Sequence, residues 1–224
     1  SIQVHPNDEV AMKKHNEFGK SESWYIVYAS DDATLILGTK PNITKEKFLE
    51  KVKNNDFSNL FEEKAVKTGD FIDITPGTVH ASLKGSVIFA EIQQSSDVTY
   101  RIYDFDRIDK NGKKRELHLD DAAEVIDFGK KVEIKHTLFK DGETKKNIIK
   151  KEFYSIDKIK ILNSYSDYCS ESMIIYTVLD GSGKIFWNEN EVLELKKGKN
   201  ILIPVNLKVK LEGNFEILRT VIEQ

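Results

Sequence analysis

The sequence predicts a mostly β protein of closed or double-sheet architecture, and three features carry that reading. Short runs rich in β-branched and aromatic residues recur along the chain, bounded by Gly, Asn and Asp. Helical periodicity is confined to three short stretches, so helices do not alternate with strands as a parallel βαβ fold requires. A β-unit in the first half also has an echo in the second.

Taken in order, the elements begin with a strand-like run at residue 1, in which Ile2 and Val4 alternate with Gln3 and His5. Strands follow over residues 24–29 and 34–37. Thr44 suits the cap of a helix reaching Asn54, with Phe48, Leu49 and Val52 on one face, and a second helix is expected from Asp56, carrying Leu60 and Phe61. Residues 71–74 and 86–92 read as strands. A third helix is expected over 120–128, with Ala122, Val125 and Ile126 on one side, and strands return at 173–179, 183–187, 201–203 and 215–222.

A domain boundary is expected at Gly129, dividing the chain into 1–129 and 130–224. Residues 1–129 hold 17 Lys and Arg against 23 Asp and Glu, net −6, whereas 130–224 hold 17 against 14, net +3. The echo spans this boundary. Gly69 opens a turn, a strand, the Pro76-Gly77 turn and then His80, and Gly198 opens the same succession of turn, strand and proline. Eleven residues beyond each opening glycine stand His80 and Val209, so the first copy alone carries an imidazole.

Composition excludes several classes of function. A net charge of −3 over 224 residues does not suit a phosphate-backbone footprint, so no nucleic-acid partner is expected. No apolar run approaches the ~20 residues that span a bilayer, so no membrane partner is expected either. The single cysteine, Cys169, cannot form an internal disulfide and fits a reducing compartment, with the cytoplasm as the expected location. A hydrophobic strand at residue 1 with no initiator methionine leads us to expect a missing upstream segment.

The chemistry-bearing residues cluster by strand geometry. Gln3 and His5 point to one face of the first strand and Ile2 and Val4 to the other. Glu22, just before the strand at 24–29, and His80, just after the Pro76-Gly77 turn, complete a four-ligand set if their strands are neighbours. Two imidazoles, a carboxylate and an amide oxygen suit a borderline divalent ion, zinc first and iron or manganese behind it. Singly, His5 or His80 reads more readily as a buried polar residue; their joint occurrence in a repeat whose other copy lacks the histidine favours the metal. His15, His118 and His136 are assigned no role.

Five blocks, in order, carry a family resemblance: Ser1-Ile-Gln-Val-His-Pro6, Gly19-Lys20-Ser-Glu22-Ser-Trp24-Tyr25, Pro76-Gly77-Thr-Val-His80-Ala81, Glu91-Ile-Gln-Gln-Ser-Ser-Asp97 and Thr99-Tyr100-Arg101-Ile-Tyr103-Asp104. They resemble the mannose-6-phosphate isomerases of the type I cupin family, in their short bacterial form, over the whole chain. The resemblance implies two cupin-like, jelly-roll β-barrels in tandem with a few short helices, the first catalytic and the second degenerate and without ligands. It implies one Zn2+ per chain, held by Gln3, His5, Glu22 and His80. It further implies that Arg101 is the active-site arginine and that Lys20, Glu91 and Asp97 line the pocket for a phosphorylated hexose.

The reaction implied is the interconversion of mannose 6-phosphate and fructose 6-phosphate through a cis-enediol, which needs a Lewis acid, a proton carrier and a fixed cation. Glu91, Asp97, Lys20 and bound water are all open as the carrier. Ser1 and Arg107 are further substrate contacts to consider, although Arg107 reads more readily as an ion pair with Asp104 or Asp106. The alternative function is a sugar-phosphate-binding cupin that regulates without turnover.

Overall fold

The computed structural model describes residues 1–108, 110–188 and 191–223. The chain divides into two compact units, Ser1–His136 and Thr137–Gln224. The division falls beyond Gly129, for two reasons. The Gly129 amide donates to Thr39 Oγ1 at 2.9 Å, and strand Ile134–His136 joins a sheet of the first unit.

In the first unit the elements run β1 (Ile2–Val4), α1 (Asp8–His15), β2 (Glu22–Ala29), β3 (Thr34–Thr39), α2 (Lys45–Lys53), β4 (Phe61–Ala65), β5 (Asp70–Ile74), β6 (His80–Lys84), β7 (Val87–Gln93), β8 (Tyr100–Tyr103), α3 (Leu119–Val125) and β9 (Ile134–His136). They form two antiparallel sheets, β4-β3-β6-β1-β8 and β7-β2-β5-β9. Strand alternation sorts the side chains of the five-stranded sheet into two cores. Ile2, Val4, Ile36, Ala81, Tyr100 and Ile102 pack with Phe48 and Val52 of α2 and Ala122 and Ala123 of α3. The opposite face sends Leu35 and Leu37 against Trp24, Ile26, Ile72 and Ile74 of the other sheet. His80 pairs with Leu37 and with Gln3, so both stand on this inner face, between the sheets.

Two glycines make the approach to that face. A Cβ on Gly19 would lie 2.4 Å from Asn7 C and 2.7 Å from Pro6 O, so only glycine lets the segment before β2 lie against the chain after β1. The Gly19 and Lys20 amides bond there, to Asp8 Oδ1 at 2.7 Å and Pro6 O at 3.1 Å. Gly77 has φ +83 as the third residue of a turn closed by Thr78 N to Thr75 O at 3.1 Å, with Pro76 second, the residue pattern of a type II turn. Its amide donates to His5 O at 2.9 Å and its carbonyl accepts from Asp127 N at 2.9 Å, joining β1 to the end of α3.

The second unit is a single curled sheet of β10 (Lys145–Lys150), β11 (Tyr154–Asp167), β12 (Ile174–Trp187), β13 (Glu191–Lys196), β14 (Asn200–Ile203) and β15 (Val209–Ile222). Its order is β10-β11-β15-β12-β13, with β14 on the other half of β12. Ile159, Ile161, Ile174, Tyr176, Val178, Ile185, Leu211 and Phe215 fill one core inside it. Ile203 and Val209 are buried there and Ile201 packs at its margin. As His80 opens β6 after its turn, Val209 opens β15.

The expected helix from Asp56 is not formed. Ser58 and Asn59 lie in a turn, and β4 begins at Phe61 and pairs with β3. Helix α1 was not anticipated; Asn7 caps it, its side chain accepting from Val10 N at 3.0 Å. No helix among the described residues is long and apolar enough to cross a membrane.

Candidate metal centre and active site

His5, at the end of β1, is 1% exposed, and its Nδ1 lies 2.9 Å from Val98 O. His80, at the start of β6, is fully buried, with Nδ1 2.9 Å from Thr78 O. A carbonyl oxygen only accepts, so in each ring Nδ1 carries the hydrogen and Nε2 presents a lone pair. The two rings are 5.0 Å apart.

Between them stands Glu22, the first residue of β2, 1% exposed. Its Oε1 lies 3.2 Å from His5 Nε2 and 3.0 Å from Lys20 Nζ, and its Oε2 lies 3.4 Å from His80 Nε2. These are charge contacts without hydrogen-bond geometry: both Glu22 oxygens and His5 Nε2 are buried without a hydrogen-bond partner. Buried lone pairs facing one another repel and have lost their water, an arrangement that costs free energy unless a cation joins them. One ligand atom from each of His5, Glu22 and His80 fits within 4.8 Å of the others. The donor set, nitrogen and carboxylate oxygen, fits a divalent ion of the zinc, iron or manganese kind.

Gln3 is differently disposed from a ligand. Its amide nitrogen faces His80 Nε2 at 3.2 Å, while Oε1 accepts from Ser1 Oγ at 3.0 Å. For the amide oxygen to join the cluster, the amide must turn by half a rotation and release Ser1.

The family model "Mannose-6-phosphate isomerase, cupin domain" matches residues 144–222, within the second unit. Mannose-6-phosphate isomerase ManA of Bacillus subtilis is 38% identical over 223 residues, 97% of this chain and 70% of that protein. The chain belongs to the mannose-6-phosphate isomerase family. The Streptococcus mutans mannose-6-phosphate isomerase is 34% identical over 97% of this chain and 69% of its own. The crystal structure of the mannose 6-phosphate isomerase from Bacillus subtilis superposes with a TM-score of 0.84 at 31% identity, covering 98% of this chain and 70% of that one.

In this isomerase-family chain, burial and neighbours set the protonation of the cluster. Burial alone raises the Glu22 carboxyl, but His5, His80 and Lys20 around it prevail and hold it at about 2. His80 is pushed down to about 4 by burial and then by His5, so its ring stays neutral and able to ligate. Glu91 stands opposite Trp24 on β7, and partial desolvation followed by the Glu22 charge raises its carboxyl above the usual range.

Arg101 pairs with Gln3 across β1 and β8 on the inner face, and its Nε is buried without a partner. Lys20 reaches the cluster through Glu22, at 11% side-chain exposure. Asp97 is exposed in the loop between β7 and β8; its neighbour Val98 is the residue that holds His5. Arg107 bonds Asp104 through both Nε and Nη2, at 3.2 and 2.5 Å.

Trp24, to which the sequence pattern assigns no role, also borders the cluster. It lies two residues beyond Glu22 on the same face of β2, its ring is edge-on to His80 at 5.4 Å, and its Nε1 is buried with no acceptor. Strand alternation from Glu22 carries the signal, but an apolar strand residue reads as core. The other histidines are engaged elsewhere: His15 with Tyr100 Oη at 2.8 Å, His136 with Asp70 at 2.8 Å, and His118 with the backbone of Arg101.

Proposed function

We propose that this protein is a zinc-dependent aldose–ketose isomerase that interconverts mannose 6-phosphate and fructose 6-phosphate, with the first unit catalytic and the second without ligands. One observation carries the reading: among the described residues, the buried side-chain atoms lacking a partner belong to His5, Glu22, Trp24 and Arg101, all on or beside one inner face. A folded chain tolerates such groups where a bound species completes them.

Gln3, His5, Glu22 and His80 would hold the ion, which supplies Lewis acidity at the sugar's carbonyl and hydroxyl oxygens. The chain's own residues do the rest. Isomerisation takes the proton from C2 of the open-chain aldose and returns one to C1. Glu91 is the preferred carrier, because its raised pKa brings proton affinity closer to neutrality and it adjoins Glu22 and Lys20. Asp97, in the loop beyond β7 and outside the cluster, is a poorer carrier. Arg101 supplies a fixed cation, its guanidinium, to the negative charge that develops on the enediol oxygens. Lys20 balances Glu22 and stands ready to orient a sugar hydroxyl. Arg107, engaged by Asp104, is left as a secondary phosphate contact.

The test is metal analysis of the purified protein, followed by conversion of mannose 6-phosphate with and without chelator. Turnover that chelation stops and zinc restores supports the reading. Binding of the sugar phosphate without conversion would instead favour a regulatory binding protein.

A further inference from the structure

We infer that His118 is a positioning residue for Arg101, a role that rests on the reading of Arg101 as the active-site cation. Strand β8 lies at the edge of its sheet, with β1 as its only strand neighbour among the described residues. An edge residue leaves its outward amide and carbonyl unpaired. At Arg101 both are taken by one residue: the Arg101 amide donates to His118 Nδ1 at 3.2 Å, and the His118 amide donates to Arg101 O at 2.8 Å.

The clamp acts where the ladder is weakest. Val4 pairs with Tyr100 and Gln3 with Arg101, but Ile2 pairs with Tyr103, so Ile102 is an extra residue on β8 and the register slips beside Arg101. A bulge of this kind re-aims the side chain next to it and loosens pairing. Its partner residue, by contrast, is well anchored. His118 O accepts from Ala122 N at 2.8 Å in the first turn of α3, whose Ala122 and Ala123 are core residues, and Lys14 ties Asp121 and Glu124 to α1. His118 thus stands where a further strand would be and fixes the Arg101 backbone against a rigid helix. The position needs a side-chain acceptor one bond beyond Cγ, which histidine Nδ1 and asparagine Oδ1 both provide.

The experiment compares His118→Leu, which keeps bulk and removes the acceptor, with His118→Asn in the full-length, metal-loaded protein. Misplacement of a catalytic group by a fraction of an ångström lowers turnover steeply, so His118→Leu is expected to lose about 10- to 100-fold in kcat with KM within about threefold. His118→Asn should recover most of that loss. Hydrogen exchange at the Arg101 amide should be slow in the parent and in His118→Asn and at least about tenfold faster in His118→Leu. In an Arg101→Ala background the leucine substitution should cost little further turnover, because both changes act on one group.

A folded His118→Leu protein with faster exchange but unchanged kcat would overturn the inference and leave a purely structural clamp. So would His118→Asn losing as much turnover as leucine, or full additivity with Arg101→Ala. A parent protein that binds sugar phosphate without isomerising it would instead count against the underlying reading of Arg101.

Discussion

At Arg101, charge and position can be separated from metal binding. A guanidinium has no lone pair for an ion, and the Arg101 Nε is left without a partner beside Gln3 rather than spent on an ion pair. An interaction made in the transition state alone lowers turnover and spares ground-state affinity. Arg101→Ala should therefore keep its metal, hold KM within about tenfold and lose about 10² to 10³ in kcat, the scale of one preorganised donor. A steep rise in KM at constant kcat would make Arg101 a phosphate anchor. Glu91→Gln keeps the shape and removes the proton affinity, so kcat should fall by about 10² or more while zinc stays bound; an unchanged kcat would return the carrier role to Lys20 or bound water. Much of this site was legible before the fold, since alternation alone put Gln3 beside His5. The carbonyls of Thr78 and Val98, which fix the tautomers, were not, because backbone groups leave no mark in a side-chain pattern. Trp24 and His118 were hidden for a related reason: the first reads as core and the second as an isolated histidine.

Elements were legible where one pattern decided them. Thr44 caps α2, accepting from Lys47 N at 3.3 Å, and Phe48 and Val52 are buried as the period predicts. From Asp56 the pattern was ambiguous: Leu60 and Phe61 are adjacent apolar residues that serve a helix or the start of a strand, and pairing with β3 decided for β4. Helix α1 buries only Ala11 and so shows almost no apolar stripe, its cap being the stronger sign. Two element-scale predictions follow from contacts rather than patterns. Gly19→Ala would force a methyl against Asn7 and Pro6 backbone, so it should cost about 1–3 kcal/mol and depress activity by displacing Lys20; a thermal midpoint equal to the parent's would show that the turn relaxes. Asp104, 5% exposed, receives Arg107 and Arg115, and Arg115, then Arg107, hold its carboxyl below the usual range despite burial. A depressed pKa stabilises the fold above the unfolded value of about 3.9, and that contribution disappears as pH falls through the folded value. Asp104→Asn should cost about 1 kcal/mol at pH 7, both arginines being partly hydrated, and the gap from the parent should narrow below about pH 4. A gap independent of pH would assign the loss to packing.

Across the whole molecule, the sequence echo predicts that the two units differ in metal binding. His80 opens β6 beside His5 and Glu22 in the first unit, whereas Val209 opens β15 within an apolar core in the second. The second unit also carries a carboxylate whose side chain is mostly covered, 7% exposed. Asp167, on the last residue of β11, accepts from Tyr176 Oη at 2.5 Å and from Arg219 Nε at 2.6 Å on one oxygen, and from Arg219 Nη2 at 3.0 Å and Tyr168 N at 2.8 Å on the other. Its acceptor sites are filled, whereas the two oxygens of Glu22, although Lys20 Nζ lies 3.0 Å from one of them, are buried without a hydrogen bond. A carboxylate in the first state has nothing to offer a cation, and one in the second has little else to do. Elemental analysis of the loaded protein should therefore give one tightly held metal per chain. His80→Ala should bring that number close to zero and remove activity with it, since a site losing one of its ligands loses affinity and geometry together. Asp167→Asn should lower the thermal midpoint, leaving the Arg219 guanidinium half-buried without its carboxylate, while the metal content stays at one. Two metals per chain in the parent, or one retained at normal affinity in His80→Ala, would move the centre away from the face built by β1, β2 and β6.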